Sequence, residues 1–140
     1  MATLHLFRGW PGSGKTSAAS RMFPGLAKFE NDMYFEKDGK YQWTRFGLPS
    51  AIKWCNECIK KCLDLGMDCV VSNTFTKKSY IETYKKIADE HGAKFKVYRC
   101  IGEYKNVHGL PPSIVESFKS RMEDWPGETI VNPDNKASCG

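Results

Sequence analysis

The chain has 140 residues, 41% of them hydrophobic and 26% charged, with a formal net charge of +5 at neutral pH. That composition suits one globular domain and argues against disorder, and the apolar runs are far too short to span a bilayer. The basic excess tilts the expected partners toward polyanions such as nucleic acid.

Residues 2–8 read as a buried strand that starts too early to leave room for a secretory signal, so a cytoplasmic protein is expected. A glycine-rich loop follows from Gly9 to Gly14, and residues 15–22 read as a helix broken by Pro24-Gly25. Residues 26–29 form a second strand ending at Glu30-Asn31-Asp32, and residues 33–48 are irregular, with a hairpin around Asp38-Gly39. Pro49-Ser50 opens a helix to about residue 65, with Ile52, Cys55, Cys58, Ile59 and Cys62 on one face. A third strand covers 68–72. A helix over 76–91 turns Tyr80, Tyr84, Ile87 and Ala88 inward, and a fourth strand covers 94–100. After a polar loop, residues 112–124 form the last helix. Residues from about 126 to 140 are a C-terminal tail, with Ile130-Val131 as a short edge strand. Strands alternating with helices imply a three-layer α/β/α domain with a mostly parallel sheet of four to five strands, one domain covering residues 1–140.

The six cysteines do not suggest zinc. Cys55, Cys58 and Cys62 share a helix face, Cys69 and Cys100 lie in strands, and Cys139 is in the tail; no second ligand pair exists. They read as reduced packing thiols.

The chemistry lies in Gly9-Trp10-Pro11-Gly12-Ser13-Gly14-Lys15-Thr16, a complete GxxxxGK[ST] phosphate-binding loop, or P-loop. Chance gives such a match in roughly one chain in 200 of this length, and here it also sits between a strand and a helix, where it has to be. The glycines let backbone N–H groups wrap around phosphates, and the helix beginning at Lys15 adds its positive end. The Lys15 ammonium can bridge the β- and γ-phosphates of ATP, and the Thr16 hydroxyl suits Mg²⁺. A P-loop NTPase fold is therefore expected.

With Asn31-Asp32-Met33-Tyr34 after strand two, Val70-Val71-Ser72-Asn73-Thr74, and Asn106-Val107-His108-Gly109-Leu110-Pro111 before Arg121-Met122-Glu123, the chain resembles the phage-type polynucleotide 5′-hydroxyl kinases and related small P-loop kinases. The resemblance covers about residues 3–124. It implies that Asp32 accepts the proton of the attacking hydroxyl, that ATP and Mg²⁺ take part, and that lid arginines clamp the transferring phosphate. A carboxylate just past a strand end on the P-loop edge can also reach the γ-phosphate on its own geometry, although a helix N-cap would use the same residue type. Two departures stand out. The third strand ends in Ser72-Asn73 where an acid often helps to hold Mg²⁺, leaving the metal to Thr16, Asp32 and water. The lid offers Lys105 and His108, with Arg121 on the next helix as the candidate clamp; the alternative for Arg121 is a solvated helix arginine. The DxDGT phosphatase signature is absent, so a kinase module alone is expected.

Tyr34, Phe35, Lys37, Lys40, Tyr41, Trp43, Arg45 and Phe46 interleave aromatic and basic side chains beside Asp32. Stacking faces and cations are the recipe for single-strand binding; the same aromatics could instead pack a hairpin onto the core. Tyr34, Lys40, Trp43, Arg45, Asn73, Lys105 and His108 are the expected acceptor contacts. The expected acceptor is a nucleic-acid hydroxyl, either a 5′-end or a hydroxymethylated base in DNA. A small-metabolite kinase and a non-catalytic nucleotide-dependent binding module are the alternatives.

Overall fold

Five of the six residues of β1 (Thr3–Arg8) are buried, as a strand covered on both faces must be. The computed structural model describes residues 1–37, 40–41, 43–104 and 109–132. In these, β1 leads into α1 (Lys15–Met22), β2 (Ala27–Phe29) and a 3-10 turn at Asn31–Phe35. The strands β3 (Glu36–Lys37) and β4 (Lys40–Tyr41) pair antiparallel; the expected turn at Asp38-Gly39 lies outside the described residues. Then come α2 (Leu48–Asp64), β5 (Cys69–Ser72), α3 (Lys78–Glu90), β6 (Lys94–Cys100), α4 (Pro112–Arg121) and β7 (Thr129–Val131).

The main sheet has the order β2-β5-β1-β6-β7, all pairs parallel. Alternation along the strands divides the core in two. Leu4, Leu6, Val71 and Val97 pack with Cys55, Ile59, Ile81 and Ile87 of α2 and α3. Phe7, Val70, Tyr98 and Cys100 pack with Ala18 and Ala19 of α1 on the other side. The expected three-layer α/β/α arrangement is present. The order reverses around β1, and in open α/β sheets ligands bind beyond the strand ends at such a reversal. No helix among the described residues is long and apolar enough to cross a membrane. The cysteines among them are free, and Cys139 lies outside.

Several expected boundaries and faces shift. The buried stripe of α2 is Ala51, Cys55, Ile59, Cys62 and Leu63; Ile52 is exposed and Cys58 only half-buried. α2 packs on the 3-10 turn as well as on β2 and β5, which rotates the inward face away from Ile52. On α3, Ile81 is buried and Tyr80 exposed. That helix begins at Lys78, two residues late, because Thr76 and Lys77 are committed elsewhere. The Thr76 carbonyl accepts the Glu123 N–H at 2.8 Å, and Lys77 is extended. The Glu123 carboxylate in turn accepts the Lys78 N–H at 2.7 Å, capping α3 from a distant segment. The same contact accounts for the early end of α4 at Arg121, since Met122 turns extended to bring Glu123 across.

Candidate active site

The turn from β1 into α1 is held on three sides. Gly9 N–H donates to Thr74 O at 3.3 Å, Gly102 N–H to Ser13 O at 3.0 Å and Tyr104 N–H to Gly12 O at 2.8 Å. Loop carbonyls are thereby drawn outward into neighbouring segments. At Gly9 a Cβ would stand 2.3 Å from Ser13 Oγ and 2.8 Å from Cys100 O, so no larger residue fits without moving backbone. Gly14, at φ 89°, occupies the cap position of α1 in the left-handed region, where glycine carries no steric penalty. No side chain among the described residues caps α1, leaving its N-terminal N–H groups for an anion.

Lys15 donates to Gly9 O at 3.1 Å and Trp10 O at 3.2 Å, bent back over the loop it would share with a phosphate. Burial pulls its ammonium below the ordinary value, opposed chiefly by the Glu30 carboxylate and more weakly by Asp32. Thr16 Oγ1 donates to Glu30 Oε1 at 2.5 Å. Burial pushes the Glu30 carboxyl upward, while the Thr16 hydroxyl and Lys15 act against that shift. Glu30 was not among the residues expected from the sequence. Its signal was its place past the end of β2, two residues before Asp32.

Asp32 lies in the first turn of the 3-10 segment, whose cap position belongs to Glu30. It is near enough for its charge to act on both Lys15 and Glu30. Asn73 Oδ1 accepts the Asn31 N–H at 2.8 Å, and Asn73 N–H donates to Phe7 O at 3.2 Å. Asn73 thus ties the Glu30–Asn31 peptide, next to Asp32 in the chain, to the end of β1. The hydroxyl of Thr16 and the carboxylates of Glu30 and Asp32 are oxygen donors of the type a hard divalent cation takes.

Tyr34 and Trp43 both pack and project. Their rings lie 5.5 and 6.2 Å from buried Phe35, and Tyr34 also touches Trp54 at 6.3 Å, yet they remain 37% and 48% exposed. Lys40, Arg45 and Phe46, near in sequence, are exposed as well. Arg121 is exposed, donates to Ser117 O at 3.1 Å and stacks its guanidinium 4.6 Å from the Phe118 ring centroid, contacts within α4. The cation that α4 brings to the P-loop is Lys119, 5.0 Å from the Trp10 ring centroid and bonded to Glu103 at 2.7 Å. Lys105 and His108 lie outside the described residues. A cleft of about 370 Å³ opens between P-loop and α4, lined in part by Trp10, Gly12, Tyr104 and Val115. A second, of about 390 Å³ between β6 and residues 125–129, contains no P-loop residue.

Behind the P-loop, fully buried Arg8 donates to Glu128 at 2.8 Å, and through Nε and Nη2 to Phe75 O at 3.1 and 2.9 Å. Phe75 holds φ 44°, rare for a large side chain, and the Arg8 fork fastens its carbonyl.

Residues 4–101 match the AAA domain family. The uncharacterised protein PM0531 of Pasteurella multocida is 27% identical, over 99% of this chain and 89% of its own. The APS kinase CysC of Mycobacterium tuberculosis, solved with AMPPNP and APS, superposes with TM-score 0.65 at 14% identity, covering 98% of this chain and 93% of that one. A gluconokinase from Sinorhizobium meliloti gives TM-score 0.61 at 16% identity, over 96% and 83%. These likenesses establish a P-loop kinase fold.

Proposed function

The chain belongs to the AAA domain family, and on that premise we propose that it transfers the γ-phosphoryl group of ATP to a hydroxyl of a nucleic acid. The observation that carries the transfer is the convergence of Lys15, Thr16 and Asp32 on one P-loop edge, with Asp32 close enough to act electrostatically on Lys15. Backbone N–H groups of the loop and of α1 bind the phosphates, and Lys15 turns from the loop carbonyls to follow charge toward the β–γ bridge. Asp32 accepts the proton of the attacking hydroxyl as that oxygen bonds to phosphorus and ADP leaves. Thr16 and Asp32 would hold Mg²⁺, which supplies charge neutralisation at the phosphates when bound. The oxygen donors gathered there fit that ion, which commonly uses one or two carboxylates and keeps several waters.

The acceptor class rests on Tyr34 and Trp43, whose rings stay partly open, and on exposed Lys40 and Arg45 in the same stretch of chain after Asp32. Such a platform suits stacked bases and phosphates. The test is labelled ATP with three acceptors: 5′-hydroxyl oligonucleotides, hydroxymethyluracil duplex and free nucleosides. Transfer to either nucleic acid, weakening as salt rises, is the expected result. Equal transfer to a free nucleoside with no salt dependence would replace this reading with a metabolite kinase.

A further inference from the structure

We propose that Glu30 is a positioning residue for the metal, an acid at the end of β2 that orients the Thr16 hydroxyl. It takes over the task that an acid at the end of the third strand performs in other P-loop enzymes. The inference rests on the kinase reading above and deepens its metal site.

Three observations support it. The strand that should carry the acid, β5, ends in buried Ser72 followed by Asn73, and the Asn73 side-chain Oδ1 accepts the Asn31 N–H. No carboxylate stands there. The neighbouring strand supplies one at the same height: β2 pairs with β5 in the register Phe29↔Val71, so the next residues along are Glu30 and Ser72. Finally, Glu30 Oε1 receives the Thr16 hydroxyl proton at 2.5 Å. A hydroxyl whose proton is held by a carboxylate must present its lone pairs elsewhere, toward the cation a P-loop threonine serves. Mg²⁺ keeps several of its waters, so a carboxylate beside such a ligand can also accept from those waters without direct coordination.

A purely structural role, pinning α1 to β2, makes a different prediction. The experiment therefore separates metal binding from nucleotide binding in Glu30→Gln, which keeps an oxygen acceptor and removes the charge. Mn²⁺ affinity of the ADP complex is read by electron paramagnetic resonance, and metal-free ADP affinity by calorimetry in EDTA. Mn²⁺ affinity should fall about 10- to 100-fold, the usual effect of losing such an outer partner. Metal-free ADP should bind as well as before or more tightly, since one anion beside the phosphates has gone. Thr16→Val should show a comparable metal defect, and adding Glu30→Gln to it should weaken Mn²⁺ little further. Wild-type Mn²⁺ affinity in Glu30→Gln, or equal losses with and without metal, would overturn the role of Glu30 and leave the kinase reading intact. Failure of the wild-type protein to bind ADP under either condition would overturn both.

Discussion

Replacing Glu128 by alanine should destabilise the protein far more than replacing Asp124, although both carboxylates pair with arginines. Arg8 is 0% exposed and Glu128 8%, joined at 2.8 Å. Without Glu128 the guanidinium keeps, among the described residues, the Phe75 carbonyl as its partner, and arginine cannot shed its proton to escape. A buried charge stripped of its partner costs about 3–5 kcal/mol. Glu128 also accepts from Arg99 at 3.3 Å and from the Trp125 N–H at 3.1 Å, so the upper part of that range is expected. With an unfolding entropy of about 2.1 cal/mol/K per residue, the midpoint should drop by roughly 10–17 °C. Asp124 bonds Arg99 at 2.6 Å, but it is 91% exposed and solvent screens the pair; its loss should cost about 1 kcal/mol or less. Calorimetric melts and urea titrations of both variants read the difference. Similar small losses from the two would mean that the Arg8 charge finds water or another partner, and the buried-pair reasoning would be wrong.

Other outcomes follow from the site. Lys15→Ala should abolish transfer; wild-type turnover at saturating ATP would remove the nucleotide site. Asp32→Asn should leave ATP affinity within a few-fold and lower turnover by ~10²–10⁴, whereas near-normal turnover would deny it the role of base. Trp43→Ala or Tyr34→Ala should raise the acceptor KM by roughly one to two decades, because stacking is worth ~1–3 kcal/mol per base, with the ATP KM little changed. Burial depresses the pKa of His5, outweighing the opposing Asp68 charge, while Lys96 adds to the shift. The unfolded chain then binds the extra proton, so the stabilising contribution is full above about 6.5 and lost as pH falls below it. His5→Phe should flatten that acid-side loss in melts between pH 7.5 and 5.

The P-loop was legible because its parts are contiguous: eight successive residues fix the loop, the lysine and the start of α1. The short apolar segments that placed β1 and β6 were equally local. What escaped depends on contacts between distant segments. The Glu123 cap on Lys78 joins positions 45 apart and bears on where α3 starts and α4 stops, and Arg8 meets Glu128 across 120 positions. Helical spacing identified an amphipathic α2 but not its rotation, which the adjoining 3-10 turn sets. On α4 the expected cation was Arg121, whereas the residue meeting Trp10 is Lys119, two positions earlier and on another side of the helix.

The acid missing from β5 teaches the same point at the site itself. In P-loop enzymes an acid often stands near the threonine, and what matters is its point in space, not its strand. Because β2 and β5 are adjacent and parallel, their C-terminal ends open on the same crevice. An acid can leave one strand end if the other supplies it, and the vacated position can take a different task. Asn73 does so: its side-chain Oδ1 holds the Asn31 N–H, and with it the Glu30–Asn31 peptide. One strand end thus carries the Thr16 partner and the other holds the Asn31 N–H, one residue before Asp32. Neither substitution reads as functional alone in the sequence, since an asparagine in place of an acid looks like a loss and a glutamate after a strand looks like surface. Only their adjacency across the sheet joins them into one arrangement around Lys15 and Thr16.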